Sequence, residues 1–101
     1  MPQISQRPTQ ILEAVLSGKV EQIQAALVTN PSQLNTPYID NGNTPLHVAI
    51  WNGNKDIVEL LLAHPGIDVQ VRNKANKTAL DLAKEKNLTE IIEMLKFAEQ
   101  R

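Results

Sequence analysis

Two histidines and two carboxylate pairs are the residues whose types and spacing fit acid–base or nucleophilic chemistry. They are His47 and His64, Asp56 with Glu59, and Glu90 with Glu93. A catalytic histidine needs a nucleophile and an orienting group that converge on it. A zinc site needs further His, Cys or carboxylate ligands at suitable spacing. Neither condition is met. His47 lies in Thr44-Pro45-Leu46-His47-Val48-Ala49, at the start of one apolar-periodic run, and His64 closes a different run before Pro65-Gly66. Each carboxylate pair is spaced for one solvated helix face, where it favours solubility and the helix N-terminus more than proton transfer. Gly42, Gly53 and Gly66 are isolated, so no phosphate-cradling loop is present. The chemistry-bearing residues thus point toward architecture, with no catalytic, metal or cofactor site implied.

Composition narrows the class further. The chain has 101 residues, 42% hydrophobic but only 3% aromatic, so one small domain with an aliphatic core is expected. The net charge of -1 provides no global field for nucleic acid or an anionic membrane. No apolar run approaches the roughly 20 residues that span a bilayer, and the first ten residues carry no apolar secretory core. With no cysteine, disulfides and thiolate metal sites are excluded, which suits a reducing compartment.

The elements that must position these residues repeat along the chain. Thr44-Pro45-Leu46-His47-Val48-Ala49 recurs as Thr78-Ala79-Leu80-Asp81-Leu82-Ala83, 34 residues on. At the same offset Asp56, Ile57, Val58 and Leu61 meet Glu90, Ile91, Ile92 and Leu95. A weaker copy precedes them at an offset of 35, aligning Thr9, Ile11, Ala14 and Gly18 with Thr44, Leu46, Ala49 and Gly53. Each unit reads as two short helices. In the central unit Thr44 is an N-cap and Pro45 sits at N1, where its missing N–H costs nothing. Asn52-Gly53 ends the first helix. A second helix is expected over about 55–63, then an extended arm over 67–77 with a polar turn at Asn73 to Asn76. The outer units repeat the plan at about 9–17 and 20–29, and at about 79–86 and 89–98.

With these residues in view, the chain resembles the ankyrin repeat family over about residues 9–99. The motif is specific in the central unit, good in the third and degenerate in the first. The resemblance implies an all-α solenoid of stacked antiparallel helix pairs with projecting β-hairpin-like loops, and a binding role without catalysis. Repeats are expected at about 9–38, 39–72 and 73–99, after a flexible segment over 1–8 and before a tail at 100–101. A repeat buries its apolar face only against a neighbour. Gln22 in place of Ile57, and Lys96 in place of Leu62, therefore read as polar caps of a complete small stack. Thr44, Pro45, Leu46, His47, Ala49 and Gly53, with Thr78, Leu80 and Ala83, are assigned to the frame. The resemblance also implies that the His47 ring bonds to backbone and to the Thr44 region, bracing adjacent loops. His64 reads as a cation at a helix C-terminus.

The surface expected to recognise a partner joins the hairpin tips to the concave ends of the first helices. It comprises Tyr38, Asp40, Asn41, Asn43, Trp51, Asn52, Arg72, Lys74, Lys77 and Glu85. Trp51, whose counterparts are Leu16 and Glu85, is the residue that the repeat pattern leaves unexplained. It reads equally as a binding hot spot and as a ring laid over Leu16. The asparagines suit turns, since Asn tolerates positive φ. Arg72, Lys74, Lys77, Lys84 and Lys86 form a basic cluster that would favour an acidic partner segment. The expected partner is another protein, met by a monomer in the cytoplasm, or in a host cytosol for a bacterial effector. Neither nucleic acid nor membrane insertion is expected. The alternative is a self-associating scaffold unit using the second-helix or C-terminal face, motivated by Phe97.

Overall fold

The computed structural model describes residues 10–100. The expected flexible segment over 1–8, Thr9 and Arg101 lie outside the described residues. Among the described residues there are six α-helices and no strand. They are α1 (Gln10–Ser17), α2 (Val20–Thr29), α3 (Pro45–Trp51), α4 (Lys55–Leu62), α5 (Ala79–Glu85) and α6 (Thr89–Glu99). A 3-10 turn, Pro31–Gln33, follows α2.

Local chemistry sets these boundaries. Thr44 and Thr78 are extended N-caps whose side chains accept the backbone N–H of His47 and Asp81, and both form reciprocal capping boxes. Asn54 caps α4 by accepting from the Ile57 N–H at 3.4 Å. The turn between paired helices needs a left-handed residue, supplied by Gly18, Gly53 and Asn87 at one register of the repeat. The arm expected to be extended over 67–77 is broken by a turn at Val69-Gln70, where the Asp68 carboxylate accepts the Gln70 N–H at 2.9 Å. Asp68 is an Asx-turn former, and its local bond outcompetes an extended path. The loops are hairpin-like without a strand ladder: Tyr38 N–H donates to the Asn43 carbonyl at 2.8 Å, and Asn73 N–H to the Lys77 carbonyl at 3.0 Å.

Within each repeat the two helices pack on one another; α1 packs on α3, α3 on α5, and α4 on α6. The stack is elongated, 43 × 28 × 22 Å. Its core is aliphatic: Ile11, Ile23, Leu46, Ile50, Ile57 and Leu61 are all at most 1% exposed. Each such side chain contributes about 1.5–3 kcal/mol on removal from water. Gln22 and Lys96 are exposed where Ile57 and Leu62 are buried, so the polar residues of the outer repeats lie in solvent.

Candidate partner-binding cleft

His47 is 1% exposed and fully bonded. Its Nδ1 accepts the Thr44 N–H at 3.2 Å and the Thr44 hydroxyl at 2.8 Å, and its Nε2–H donates to the Lys77 carbonyl at 2.9 Å. These bonds fix one tautomer and tie the central repeat to the loop that enters α5. Burial holds the ring's pKa below the ordinary 6.5, against a smaller upward pull from the Lys77 carbonyl. Asp81 holds the equivalent place in the third repeat, accepting the Thr78 N–H at 3.0 Å. That backbone bond keeps its carboxyl below the ordinary 3.8. The His64 Nδ1 accepts the Gly66 N–H at 3.3 Å, closing the turn that follows α4. Among the described residues no three His, Cys, Asp or Glu side chains group to hold a metal ion.

The two loops lock together at their tips. Lys74 N–H donates to the Asn41 carbonyl at 3.0 Å, and the Asn73 amide donates to Asn43 Oδ1 at 2.8 Å. Gly42 (φ +74) is where the backbones cross: a Cβ there would sit 2.8 Å from the Lys74 nitrogen. Its counterpart Asn76 is also left-handed, with φ 65, as turn chemistry requires.

Below the tips opens a cleft of about 530 Å³ lined by Leu16, Asn41, Asn43, Val48, Trp51, Asn52, Asn73, Ala75, Lys77, Leu82 and Glu85. The repeat explains the set. Leu16, Trp51 and Glu85 share one register, as do Val48 and Leu82, Asn41 and Ala75, and Asn43 and Lys77. Six of the ten residues expected from the sequence line it: Asn41, Asn43, Trp51, Asn52, Lys77 and Glu85. Tyr38 instead lines an adjoining hollow of about 200 Å³ with Leu12, Leu16, Asn41 and Val48. Burial, followed by a bond to Asp40 and its charge, raises the Tyr38 hydroxyl pKa. Arg72 and Lys74 stand outside the cleft, on the tips. Arg72 donates to the Asn76 carbonyl at 3.1 Å and Lys74 Nζ to the Ile39 carbonyl at 2.5 Å. Asp40, likewise exposed, is not among the cleft residues. The sequence reading left Leu16, Val48, Asn73, Ala75 and Leu82 out of the surface; carrying Trp51 and Asn41 through the repeat offset reaches Leu16 and Ala75.

Trp51 is 58% exposed, and Leu16, beside it in the cleft, is 57% exposed. Lys86 Nζ lies 4.4 Å from the Trp51 ring centroid, a cation–π contact that steadies the ring and sets a charge at the cleft mouth. Lys77 and Glu85, which both line the cleft, form an ion pair. The cleft is therefore part apolar floor and part amide and charge.

Fold and cleft together define a class: a stacked helical-repeat protein with a concave face beneath linked loop tips. The family model described as ankyrin repeats (3 copies) matches residues 11–100, and the chain belongs to the ankyrin repeat family. It is similar to oxysterol-binding protein homolog 2 of Saccharomyces cerevisiae, with 30% identity over 92 residues, covering 86% of this chain and 7% of that protein. Alpha-latrotoxin-Lg1a of Latrodectus geometricus is 37% identical over 89 residues, 86% of this chain and 6% of the toxin. The I-Kappa-B like protein C2 of Microplitis demolitor bracovirus is 30% identical over 64 residues, 63% of this chain and 35% of that protein. The ankyrin repeat domain of Bcl-3, a unique member of the IkappaB protein family, superposes with a TM-score of 0.81 at 26% identity, over 87% of this chain and 38% of that one. The chain thus spans less than a tenth of the first two relatives. Ankyrin repeats in general mediate protein–protein interaction without catalysis. Among the described residues no helix is long and apolar enough to cross a membrane.

Proposed function

We propose that this chain is a protein-recognition module that binds a partner protein through its hairpin tips and concave helix face. One observation carries the reading: a folded, half-apolar cleft that leaves Trp51 and Leu16 more than half exposed beneath tips held by backbone bonds. A rigid aromatic with few rotors, in a cleft already formed, is the kind of residue on which binding energy concentrates. The frame residues around Thr44 and Thr78 hold the surface; Tyr38, Asp40, Asn41, Asn43, Asn52, Arg72, Lys74, Lys77 and Glu85 surround Trp51 on it. With no cysteine to oxidise, the module suits the cytoplasm.

Affinity capture with the wild type against the Trp51→Ala, Arg72→Ala double variant tests the surface. Both side chains are exposed, so melting should be unchanged while captured partners are lost. Equal capture by the two proteins overturns it. A self-associating role rests on a separate observation: Phe97, 69% exposed, borders a shallow groove with Leu62, Ala63 and Met94 on the second-helix face. Light scattering across a concentration series decides it, since a constant monomer mass removes that reading.

A further inference from the structure

The charges of the molecule are sorted by face. The exposed surfaces of α2, α4 and α6 carry Glu21, Asp56, Glu59, Glu90, Glu93 and Glu99 against Lys55 and Lys96. On the tip and cleft side the balance reverses. Among the described residues the ion pairs are Lys55 with Glu90 and Lys77 with Glu85. Arg72 and Lys74 give hydrogens to carbonyls, and Lys86 lies over the Trp51 ring, so none of the three is neutralised by direct contact with a carboxylate. Asp81 lies within electrostatic reach of Arg72, and Asp40 stands on the tip; these temper the field without reversing it. Arg72 and Lys74 on the tips, and Lys86 over the Trp51 ring, thus stand outside a cleft whose apolar floor is made by Leu16, Val48 and Leu82 with that ring.

Resting on the recognition role proposed above, we infer that the cleft takes an acidic segment of a partner protein, one aliphatic side chain seated against Trp51 and flanking carboxylates directed at Lys86, Lys74 and Arg72. Geometry and charge both favour this occupant. The cavity holds one or two side chains and no more than a short segment, within the general range of about 300–1,000 Å³ for ligand sites. A basic segment would face three unpaired cations. Like charge steers such partners away, while opposite charge speeds encounter and makes binding depend on salt.

The test is a randomised 12-residue peptide library displayed on phage, panned on the wild type and counter-selected on Trp51→Ala. Selected peptides should carry Asp or Glu on both sides of Leu, Ile or Val. A synthetic peptide of that sequence should shift the fluorescence of Trp51, the sole tryptophan. Its affinity should fall at least fivefold between 50 and 300 mM NaCl, and about tenfold in Lys86→Glu, whose exposed side chain leaves folding intact by circular dichroism. Selected peptides that are neutral or basic yet depend on Trp51 overturn the acidic chemistry and leave the recognition surface standing. No Trp51-dependent selection overturns both. Concentration-dependent dimerisation abolished by Trp51→Ala assigns the cleft to a second copy and overturns a foreign partner.

Discussion

At the scale of single residues, His47 is the case where a reactive group is consumed by structure. Both ring nitrogens are occupied, and the Nε2 bond to the Lys77 carbonyl crosses from one repeat to the next. His47→Ala removes half of a capping box and orphans a partly buried carbonyl. Caps are worth about 0.5–2 kcal/mol and an orphaned buried acceptor about 1–3 kcal/mol. Urea unfolding should show a loss of about 2–4 kcal/mol. The ring also imposes a pH dependence. Its folded pKa lies below the ordinary 6.5, so the folded state binds fewer protons than the unfolded chain. The contribution is complete above about pH 6.5 and is lost as pH falls through that value toward the depressed one. His47→Gln should flatten stability between pH 7 and pH 5, leaving the acid limb to carboxylates such as Asp81, whose share is lost below 3.8. A slope unchanged in His47→Gln would assign it to another group. The brace was legible through the family resemblance that Thr44-Pro45-Leu46-His47 carries. The Lys86 contact with Trp51 was not, because it depends on how two repeats bring separate side chains together.

At the scale of elements, helix starts were legible and the connections were less so. Thr44-Pro45 and Thr78 state their caps in residue types, and both form as expected. The 3-10 turn at Pro31–Gln33 and the break in the arm at Val69-Gln70 rest on local bonds, with no apolar period to announce them. The cleft stood midway: its registers were written in the repeat, but which tips close over it depended on loop-to-loop bonds. Those bonds make the glycines unequal. Gly42 and Gly53 are both left-handed, at φ 74 and φ 69. A side chain at Gly53 meets nothing within 4 Å, whereas at Gly42 it strikes the Lys74 backbone nitrogen at 2.8 Å. Gly53→Ala should therefore cost about 1–2 kcal/mol, the left-handed penalty alone. Gly53→Asn should cost less, since Asn87 already holds this register at φ 58. Gly42→Ala adds a backbone clash to the same penalty, so its melting temperature should fall furthest of the three and its tip-to-tip amide protection should be lost. Equal melting for the two alanine variants would mean that the tips separate freely.

At the scale of the whole molecule, α3 is the element on which the stack depends. It packs on α1 and on α5, which lie on either side of it, and on α4 within its own repeat. Ile50 on α3 is 0% exposed, and its counterpart in the last repeat is the exposed Lys84. The same register is thus core in the middle of the stack and solvent at its end, as a one-dimensional array of mutually buried units requires. Truncating a fully buried isoleucine to alanine costs about 2–5 kcal/mol, a large share of the roughly 5–15 kcal/mol that holds a small domain folded. Ile50→Ala should lower the melting temperature by at least about 8 °C, at roughly 4–8 °C per kcal/mol for a chain of this size. Leu80→Ala, partly buried on the end repeat, should lower it much less. Cooperativity supplies a sharper test. Far-UV circular dichroism reports all six helices, while the fluorescence of Trp51 reports the central repeat. Because neither outer repeat can bury its apolar face without the central one, the two melting curves should coincide in the wild type and in Ile50→Ala alike. Fluorescence that is lost while much of the helical signal persists would mean that the outer helix pairs fold on their own.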